Sequence, residues 1–579
     1  MRYYIPEWDD RVDPDYDFLT DEHSQVHRVN PFSDHYMWDL FPGNEVPFDG
    51  VLVSRAKLEQ NRKKLKLAFE EGIRKFLHLP ASLPLMGDCG AWGYIEQDTP
   101  PYDAVQILDY YQELGFDIGV TVDHLVVPKF SEQRSQRIQV TFENGLKGFE
   151  AWQKKYRQHF RLLVAVQGWE VQDYIKMYLD YYRHGARDFA FGGLARSPTP
   201  YIKSLIDELE KTVAAEKAKP EHLHFFGLGR FSLFEKFKAL EEQGIEISFD
   251  TASWLRRAWL SGINYYAVDD QLKGYRAIRI SQTGRRTGLR GKKKLGSKVD
   301  TESVRKAEQE SLSKLRSYDK GKLTIQPVIE TLREYVKLTG LGAELENHYR
   351  ETLTDMPWKK CDCPICKSIG IEALIFRGNN RNRRRGFHNT YVVYHKIIKH
   401  PELWPKFSEE EYNEGLQMAP EELQNLAGRV LVVTECTKDK KGYDSKTRTK
   451  AEDMYQGQLF RAVKNFVRAR KFDYLIISAK YGLLRPDEVI EGYEKVLKSK
   501  EDVEAIRGQV ESKLKPILDS YDRILVIAGA RYRQVLRNIW DDRFLTIKSR
   551  GYGDLCRILK LSLVKPISDY TNCRLEMMK

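Results

Sequence analysis

The stretch Gly244–Arg257, GIEISFDTASWLRR, decides the fold prediction. Its first residues alternate between apolar and polar, with Ile245, Ile247 and Phe249 on one face, as in a half-buried β-strand. The strand ends at Asp250, and a Ser, a Trp and two Arg follow soon after. In β/α barrels, catalytic side chains stand at the carboxyl ends of the strands. We therefore expect a barrel strand here and take Asp250 as a candidate nucleophile.

Six further apolar runs precede this strand, and helical stretches separate them. The runs are Gly50–Val53, Lys75–Leu79, Phe116–Val122, Arg161–Val166, Asp188–Phe191 and His222–Phe226. Strands and helices in alternation predict an α/β fold with a parallel sheet. This number of strands favours a TIM-type (β/α)8 barrel, and an open doubly wound sheet is the alternative. Residues 1 to about 50 show no clear period, so we expect an irregular N-terminal segment there.

Residue types suited to chemistry follow these runs one after another. They are Asp88-Cys89-Gly90-Ala91-Trp92, Asp123, Gln167-Gly168, Gly192-Gly193-Leu194, Gly227-Leu228-Gly229 and Asp250. Each is a weak signal alone, because a Gly after a strand is usually a turn and an Asp there is usually a helix cap. In a barrel, however, the carboxyl ends of all strands meet at one end. The series therefore predicts one site built from several strands.

The order of these motifs resembles that of the tRNA-guanine transglycosylase family, over about residues 50–400. The family's Asp-Ser-Gly-Gly-aromatic motif is similar to residues 88–92, with Cys89 and Ala91 in place of Ser and Gly. Its Gln-Gly-Gly is similar to residues 167–169, where Trp169 replaces the second Gly. The resemblance implies a glycosyltransferase that exchanges guanine in a nucleic acid for a 7-deazaguanine.

Roles for the site residues follow from that resemblance. Asp250 would attack the anomeric carbon and hold the sugar as a covalent intermediate, as retaining glycosidases do. Asp88 would be the general acid/base that moves the proton on the departing and arriving bases. The substrate base would contact Trp92, Asp123, Gln167, Gly192, Gly193 and Phe226. Without the motifs, Asp123 would be interpreted as a helix cap and Trp92 as ordinary core packing.

A cluster of three cysteines predicts a metal site. Cys361, Cys363 and Cys366 form a CxCxxC motif, and seven cysteines in 579 residues are too few for a disulfide framework. Three thiolates need a fourth ligand, and His388, followed by Asn, resembles the family's His-Asn pair; His395 is the second choice. A closed Cys₃His site would hold a structural Zn²⁺ without a catalytic role.

The net charge of +11 is concentrated in two basic blocks. Ten Lys or Arg and no acidic residue lie between Gln271 and Val299, and five Arg and no acidic residue lie between Phe376 and Thr390. Such concentration is typical of proteins that bind nucleic acid. The residues expected at the nucleic acid are Arg256, Arg257, Arg285, Arg286, Arg290, Lys292, Lys293, Lys294, Arg383, Arg384 and Arg385.

The long basic stretch Arg285–Lys298 resembles the DNA-modifying branch of the family, the DpdA proteins of 7-deazaguanine DNA modification and restriction. That branch implies double-stranded DNA as partner and 7-cyano-7-deazaguanine as the incoming base. Extruding a base from the duplex costs a few kcal/mol, and a partner ATPase of the same system is included among the expected partners. The alternatives are the same exchange on tRNA and a non-catalytic nucleic-acid-binding subunit. The presence of both Asp88 and Asp250 favours an enzyme.

The last part of the chain has its own pattern. Apolar runs at 429–434, 474–478 and 523–528 alternate with amphipathic helices and predict a second, Rossmann-like α/β domain of unknown role. We expect the barrel at 1–350, a zinc-binding segment with a helical linker at 351–425, and this domain at 426–579. The sequence has neither an apolar run of about 18 residues nor a signal-peptide layout at its start, which predicts a cytoplasmic protein without a membrane partner.

Overall fold

The structure is a computed structural model. It describes residues 1–41, 43–195, 199–259, 264–266, 273–283, 301–339, 345–404, 416–418, 428–440, 448–497, 499–540, 543–547 and 552–563, with the single residues 197, 341, 423, 426 and 549. None of the helices in these ranges combines the length and the apolar character that a membrane crossing requires.

Eight parallel strands close into a barrel in chain order. They are β1 Arg2–Pro6, β2 Gly50–Ser54, β3 Leu85–Asp88, β4 Ile118–Val120, β5 Arg161–Val166, β6 Asp188–Phe191, β7 His222–Phe225 and β8 Glu246–Asp250. β1 pairs with β2 on one side and with β8 on the other, which leaves the sheet without a free edge. The predicted TIM-type barrel is confirmed.

Two of the expected elements were wrong. The N-terminal segment is not wholly irregular, because Arg2–Pro6 supplies the missing eighth strand. Its five residues are too short for the alternation to be recognised in the sequence. The run Lys75–Leu79 is not a strand, because a helix covers Ile73–Phe76 and the strand begins later, at Leu85.

Helices connect the strands and cover the outside of the barrel. In the barrel part they are Gln25–Val29, Arg55–Glu59, Arg62–Glu71, Ile73–Phe76, Gln106–Leu114, Arg134–Ala151, Val171–Arg183, Thr199–Ala215, Phe231–Glu242 and Ser253–Arg257. Further along the chain lie Thr301–Asp319, Ile325–Thr339, Leu345–Asp355, Pro357–Lys360, Pro364–Ile369 and Gly378–Val393. Between and beside them run four short strands: β9 Tyr265–Tyr266, β10 Gly274–Tyr275, β11 Ile278–Arg279 and β12 Ile375–Phe376.

Side chains fill the interior of the barrel. Most are apolar and buried, among them Tyr4, Met86 and Leu163. Polar side chains on β7 and β8 interrupt this core, as described below. The barrel is therefore packed throughout, and a substrate can approach only at its ends.

The C-terminal part is a six-stranded sheet with helices on both faces. Its strand order is β13 Leu416–Met418, β20 Phe544–Ile547, β19 Arg523–Ile527, β14 Val430–Glu435, β16 Asp473–Ser478 and β17 Gly482–Leu484, and only β17 runs antiparallel to its neighbour. The remaining strands pair as β15 Arg448–Lys450 with β18 Val489–Glu491. The helices are Ala451–Met454, Gln458–Arg470, Lys500–Leu514, Ala530–Gln534 and Tyr552–Leu561. Separate apolar clusters cover the two faces of the sheet, as expected for an α/β layer fold.

A buried ion network ties the N-terminal segment to helix Gly378–Val393. Arg381 on this helix is fully buried, and its guanidinium pairs with Asp21 and with Glu372, where Nε to Oε2 is 2.6 Å. Its Nη2 also donates to the carbonyl oxygen of Phe18 at 2.7 Å. Removing one partner from such a network leaves uncompensated buried charge.

We predict that Arg381→Met lowers the free energy of unfolding by up to about 3–5 kcal/mol, because the buried Asp21 and Glu372 then keep only one arginine partner each, Arg377 and Arg316. Urea denaturation followed by tryptophan fluorescence measures the change. The matched control is Arg28→Ala, which removes an exposed pair with Glu22 and should cost less than about 1 kcal/mol. Equal losses in the two variants would contradict the role assigned to the network.

Candidate active site

The barrel brings the predicted strand-end residues to one end. Asp88 ends β3 and Asp250 ends β8, each on the carboxyl side of its strand. The strand pairing places both residues at the carboxyl end of the barrel. Asp88 lies beside Ser54, the last residue of β2, and Asp250 lies beside Tyr4 of β1. Asp123 and Gln167 follow β4 and β5 at the same end. Residues far apart in sequence thus form one polar site at the mouth of the barrel.

Asp250 is nearly buried, with 9% of its surface exposed, and is held through one oxygen. The backbone N–H of Gly227 donates to Oδ1 at 2.9 Å. Nε2 of His224, a fully buried residue of β7, lies 3.4 Å from the same oxygen. Both contacts use Oδ1, so Oδ2 is the oxygen available for a reacting group.

Asp88 has the properties of a general acid. Its pKa is raised to about 7, chiefly by burial and also by the nearby negative charges of Asp123 and Asp250, against the lowering effect of a hydrogen bond with Ser54. Its Oδ1 is buried and finds no hydrogen-bond partner in the part of the chain that the structure describes. A carboxyl group with a pKa near neutrality can both give and take a proton at pH 7.

Asp123 is the centre of a buried hydrogen-bonded group. Gln167 Nε2 donates to its Oδ2 at 2.6 Å, and the thiol of Cys89 donates to its Oδ1 at 3.0 Å. The hydroxyl of Tyr94 in turn contacts Cys89 Sγ at 2.9 Å and the carbonyl oxygen of Asp123 at 2.7 Å. Burial raises the pKa of Asp123. The Cys that stands where the motif has Ser therefore still donates a hydrogen bond.

Gly192 and Gly193 have no side chains and therefore leave room for the side chain of Gln167. A Cβ at Gly192 would come within 2.2 Å of Gln167 Nε2, and a Cβ at Gly193 within 2.7 Å of Oε1. Gly193 also has a φ of +77°, which side-chain-bearing residues rarely adopt. Gln167 Oε1 is buried and without a hydrogen-bond partner among the described residues. The two glycines thus let the backbone pack directly against the amide of Gln167, whose Oε1 remains an unused acceptor among the described residues.

The two predicted aromatic contacts differ in exposure. Trp92 lies on a short turn of 3₁₀-helix, Ala91–Gly93, and is 46% exposed, so it is not an ordinary core residue. The turn begins at Gly90, whose φ of +77° redirects the chain after β3. Phe226 is half-buried and packs edge-on against His224, with ring centroids 4.7 Å apart. An exposed indole at the mouth can stack on a ligand. Phe226 packs against the apolar side chains of the barrel interior.

The Cys₃His group assembles as predicted. Cys361, Cys363, Cys366 and His388 are buried, and His388 Nδ1 lies 3.4–3.5 Å from all three sulfurs. A tetrahedral ion with bonds of about 2.3 Å to sulfur and about 2.0 Å to nitrogen would place these atoms about 3.5 Å apart. The ring of Tyr265 stacks on His388 at 3.9 Å. The residues could therefore bind a metal ion such as zinc, whereas His395 lies apart, at the carbonyl oxygen of Glu45.

A second group with metal-ligand atoms does not converge. Asp13, His23 and His27 lie close together, but the two imidazole rings stack in parallel at 3.6 Å. Their in-plane lone pairs therefore run side by side and cannot meet at one ion. Ser24 already donates to Asp13 through its N–H and its hydroxyl. We assign this group to the structure of the N-terminal segment.

The arginines expected to contact nucleic acid fall into three sets. Arg385 is fully buried and donates to the carbonyl oxygens of Ala258 and Ala373, and Arg384 is buried against the carbonyl oxygen of Asp13. These two residues serve the protein interior and offer no surface to a phosphate. Arg383, Arg256 and Arg257 are partly exposed. Arg285, Arg286, Arg290, Lys292, Lys293 and Lys294 lie outside the described residues.

The structure adds residues that the sequence analysis missed. His222, His224 and Ser248 are fully buried inside the barrel below Asp250. The sequence HLHFF at 222–226 could have indicated the two histidines, because alternate residues of a strand face the same side and His222 and His224 would therefore point the same way. Trp8, just after β1, is 44% exposed, and the guanidinium of Arg256 lies 4.6 Å from its ring centre.

The C-terminal sheet carries a cavity of about 360 Å³ at the carboxyl end of its central strand, β14. It is lined by Glu435, Cys436, Lys438, Tyr532 and Tyr552, among others. Chain connections leave β14 toward β16 on one side, and β19 joins it on the other, which is the usual position of ligand sites in open α/β sheets.

Two comparisons place the chain among known proteins. Residues 430–551 match a family model described as "Family of unknown function (DUF6884)". A protein of Salmonella montevideo named DNA-guanine transglycosylase is 30% identical over 420 residues, which cover 69% of this chain and 96% of that relative. This level of identity extends over nearly the whole relative, and the barrel with its strand-end carboxylates agrees with it. The two proteins are therefore members of one family. The chain therefore belongs to the DNA-guanine transglycosylase family of glycosyltransferase enzymes.

Proposed function

We propose that the protein exchanges guanine in double-stranded DNA for 7-cyano-7-deazaguanine through a covalent intermediate on Asp250. The observation that carries the proposal is the pairing of two unlike carboxyl groups at the mouth of the barrel. Asp250 is held through Oδ1 alone, and Asp88 has a pKa raised to about 7. A carboxyl group with a pKa near neutrality can transfer the proton while the other carboxyl group acts as nucleophile.

In the first half of the reaction, Asp250 Oδ2 forms a bond to the anomeric carbon of the extruded nucleotide. The bond from that carbon to guanine breaks, and Asp88 gives its proton to the departing base. In the second half, the incoming base loses its proton to the Asp88 carboxylate and attacks the same carbon. The bond to Asp250 then breaks and the carboxylate is released. The two displacements preserve the configuration at the sugar.

The base would lie between Trp92 and the buried polar group around Asp123. The orphan acceptors Asp88 Oδ1 and Gln167 Oε1 suit the N–H groups of guanine and of its 7-deaza analogue. Gly192 and Gly193 would let the base approach the backbone closely, and Phe226 would lie beneath it. Because 7-deazaguanine keeps the amino and imino edge of guanine, one pocket can accept both bases.

DNA as the substrate is supported by the name of the relative from Salmonella montevideo. In this structure, Arg256 is fixed by a 2.8 Å ion pair with Asp10 and lies over the exposed ring of Trp8. An aromatic ring beside a guanidinium suits a nucleobase and its phosphate. Arg257, Arg383 and the basic residues 285–294 would add phosphate contacts. The same exchange on tRNA is the second candidate, on the resemblance of the motifs, and a partner ATPase remains a proposal.

For the Cys₃His group we propose a structural Zn²⁺. Four protein ligands leave no open coordination position for a substrate. When bound, the ion would hold the cysteine motif at 361–366 to helix Gly378–Val393, which carries His388 and packs on the barrel helix Ser253–Arg257. We also propose the division into a barrel at 1–350, this segment, and a domain at 426–579.

The substrate test is an exchange assay with radiolabelled 7-cyano-7-deazaguanine. Wild-type protein is expected to incorporate the label into a guanine-containing DNA duplex and not into tRNA. Asp250→Asn should lower incorporation by at least about 10⁴-fold, because an amide is a poor nucleophile. An exposed substitution, Asp487→Asn, is the control. Incorporation into tRNA alone would overturn the choice of DNA.

The role of Asp88 predicts a pH dependence. The raised pKa means that the acid form is lost as the pH rises through about 7. Release of guanine under single-turnover conditions should therefore fall about tenfold per pH unit above that value. Asp88→Asn should lower the rate by about 10²–10⁴-fold and abolish this slope. A wild-type rate that stays flat from pH 6 to 9 would exclude Asp88 as the acid.

The zinc proposal predicts one Zn²⁺ per chain by elemental analysis. Cys363→Ser should lose the metal and lower the melting temperature by several degrees, since it removes one of four ligands. Cys556→Ser changes a buried cysteine outside the group and should keep the metal. Full zinc content in Cys363→Ser would contradict the assignment.

A further inference from the structure

A chain of polar side chains runs through the barrel interior to the proposed nucleophile. His222 Nε2 lies 2.6 Å from Ser248 Oγ, and His224 Nδ1 lies 2.8 Å from the same oxygen. His224 Nε2 lies 3.4 Å from Asp250 Oδ1. All three residues below Asp250 are fully buried. A core of apolar side chains would avoid the cost of burying them, so their presence needs an explanation.

The available hydrogen-bond partners determine which atom donates in each hydrogen bond from His222 through Ser248 to His224. Nδ1 of His222 and Nε2 of His224 both lack a hydrogen-bond partner among the described residues. The charged side chains that act on His222 are the cations Arg161 and Arg2, whereas Nε2 of His224 faces the Asp250 carboxylate, so a proton suits His224 Nε2 and not His222 Nδ1. His222 then carries its proton on Nε2 and donates to Ser248 Oγ. The Ser248 hydroxyl donates onward to His224 Nδ1, which places the His224 proton on Nε2, facing Asp250.

Burial supports a neutral imidazole at His222. The pKa of His222 lies well below its usual value, because burial disfavours the charged ring. A neutral histidine has one N–H, and the hydrogen bond at its other nitrogen decides which nitrogen carries it. Ser248 therefore fixes the tautomer of His224, and His222 fixes the orientation of the Ser248 hydroxyl.

We propose that His224 is a positioning residue for Asp250, donating from Nε2 to Oδ1, with Ser248 and His222 holding it in the donating tautomer. This inference rests on the proposed role of Asp250 as nucleophile. Together with the Gly227 N–H, the donor fixes Oδ1 and directs Oδ2 toward the sugar. In this structure the 3.4 Å contact does not form a hydrogen bond. Catalytic contacts commonly shorten when the substrate is bound, and the proposal places the hydrogen bond in that complex.

The same donor acts on the second half of the reaction. While the sugar is attached, Asp250 is an ester and carries no charge. When the incoming base attacks, the carboxylate leaves and its negative charge returns. A fixed N–H at Oδ1 stabilises that charge as it develops, without having to reorganise. His224 should therefore affect the rate of exchange more than the binding of DNA or base.

The test compares His224→Phe, which keeps a ring without a donor, with His224→Gln, which restores an N–H on a shorter side chain. We expect His224→Phe to lower kcat by about 10–100-fold while KM for DNA and for the base changes less than about threefold. His224→Gln should recover at least part of the loss. Melting temperatures check that both variants are folded.

Ser248→Ala is the second variant, and it tests the role of the His222–Ser248–His224 hydrogen bonds even if His224→Phe does not fold. It leaves both rings in place but releases the His224 tautomer, so a smaller loss in kcat is expected. Wild-type kcat in Ser248→Ala and His224→Phe would overturn the inference, as would His224→Gln no more active than His224→Phe. Asp250→Asn run in parallel separates the two claims. If that variant stays active, the nucleophile itself is wrong; if it is inactive and the His224 variants are unaffected, only the positioning role fails.

Discussion

Three carboxyl groups lie close together at one end of the barrel, Asp123 and Asp250 buried and Asp88 partly buried, and the site depends on this constraint. A buried carboxylate is costly unless donors surround it, and neighbouring negative charges add to the cost. Each group meets this cost differently. Asp250 accepts from a backbone N–H, Asp123 accepts from Cys89 and Gln167, and Asp88 shifts its pKa toward neutrality. These different surroundings support the different chemical roles proposed for the three acids.

Support for the Asp250 strand end comes from outside the barrel. Helix Gly378–Val393 packs on the short helix Ser253–Arg257, so closely that a Cβ at Gly386 would lie 2.7 Å from the carbonyl oxygen of Leu255. Arg385 donates to Ala258 O at 2.7 Å. The same helix carries His388 of the Cys₃His group and the buried Arg381. Helix Gly378–Val393 therefore supports the wall behind Asp250.

The positions of the strand ends and the spacing of the motifs were sufficient to predict which residues come together in the site. Asp88, Asp123, Gln167 and Asp250 meet as expected because a parallel barrel collects its strand ends. The first strand was missed because five residues carry too little pattern. Arg384 and Arg385 were misassigned because charge runs in a sequence do not show which face of a helix is buried. The His222–Ser248–His224 chain depends on register between β7 and β8, which no single sequence displays.

The central claim is that Asp250 becomes bonded to the sugar. Wild-type protein incubated with a guanine-containing DNA duplex, without an incoming base, can be denatured, digested with protease and nuclease, and analysed by mass spectrometry. The account predicts a deoxyribose-linked adduct on the peptide that contains residues 244–257, with fragment ions that place it on Asp250 and none in Asp250→Asn. An adduct on Asp88, or its persistence in Asp250→Asn, would contradict the account.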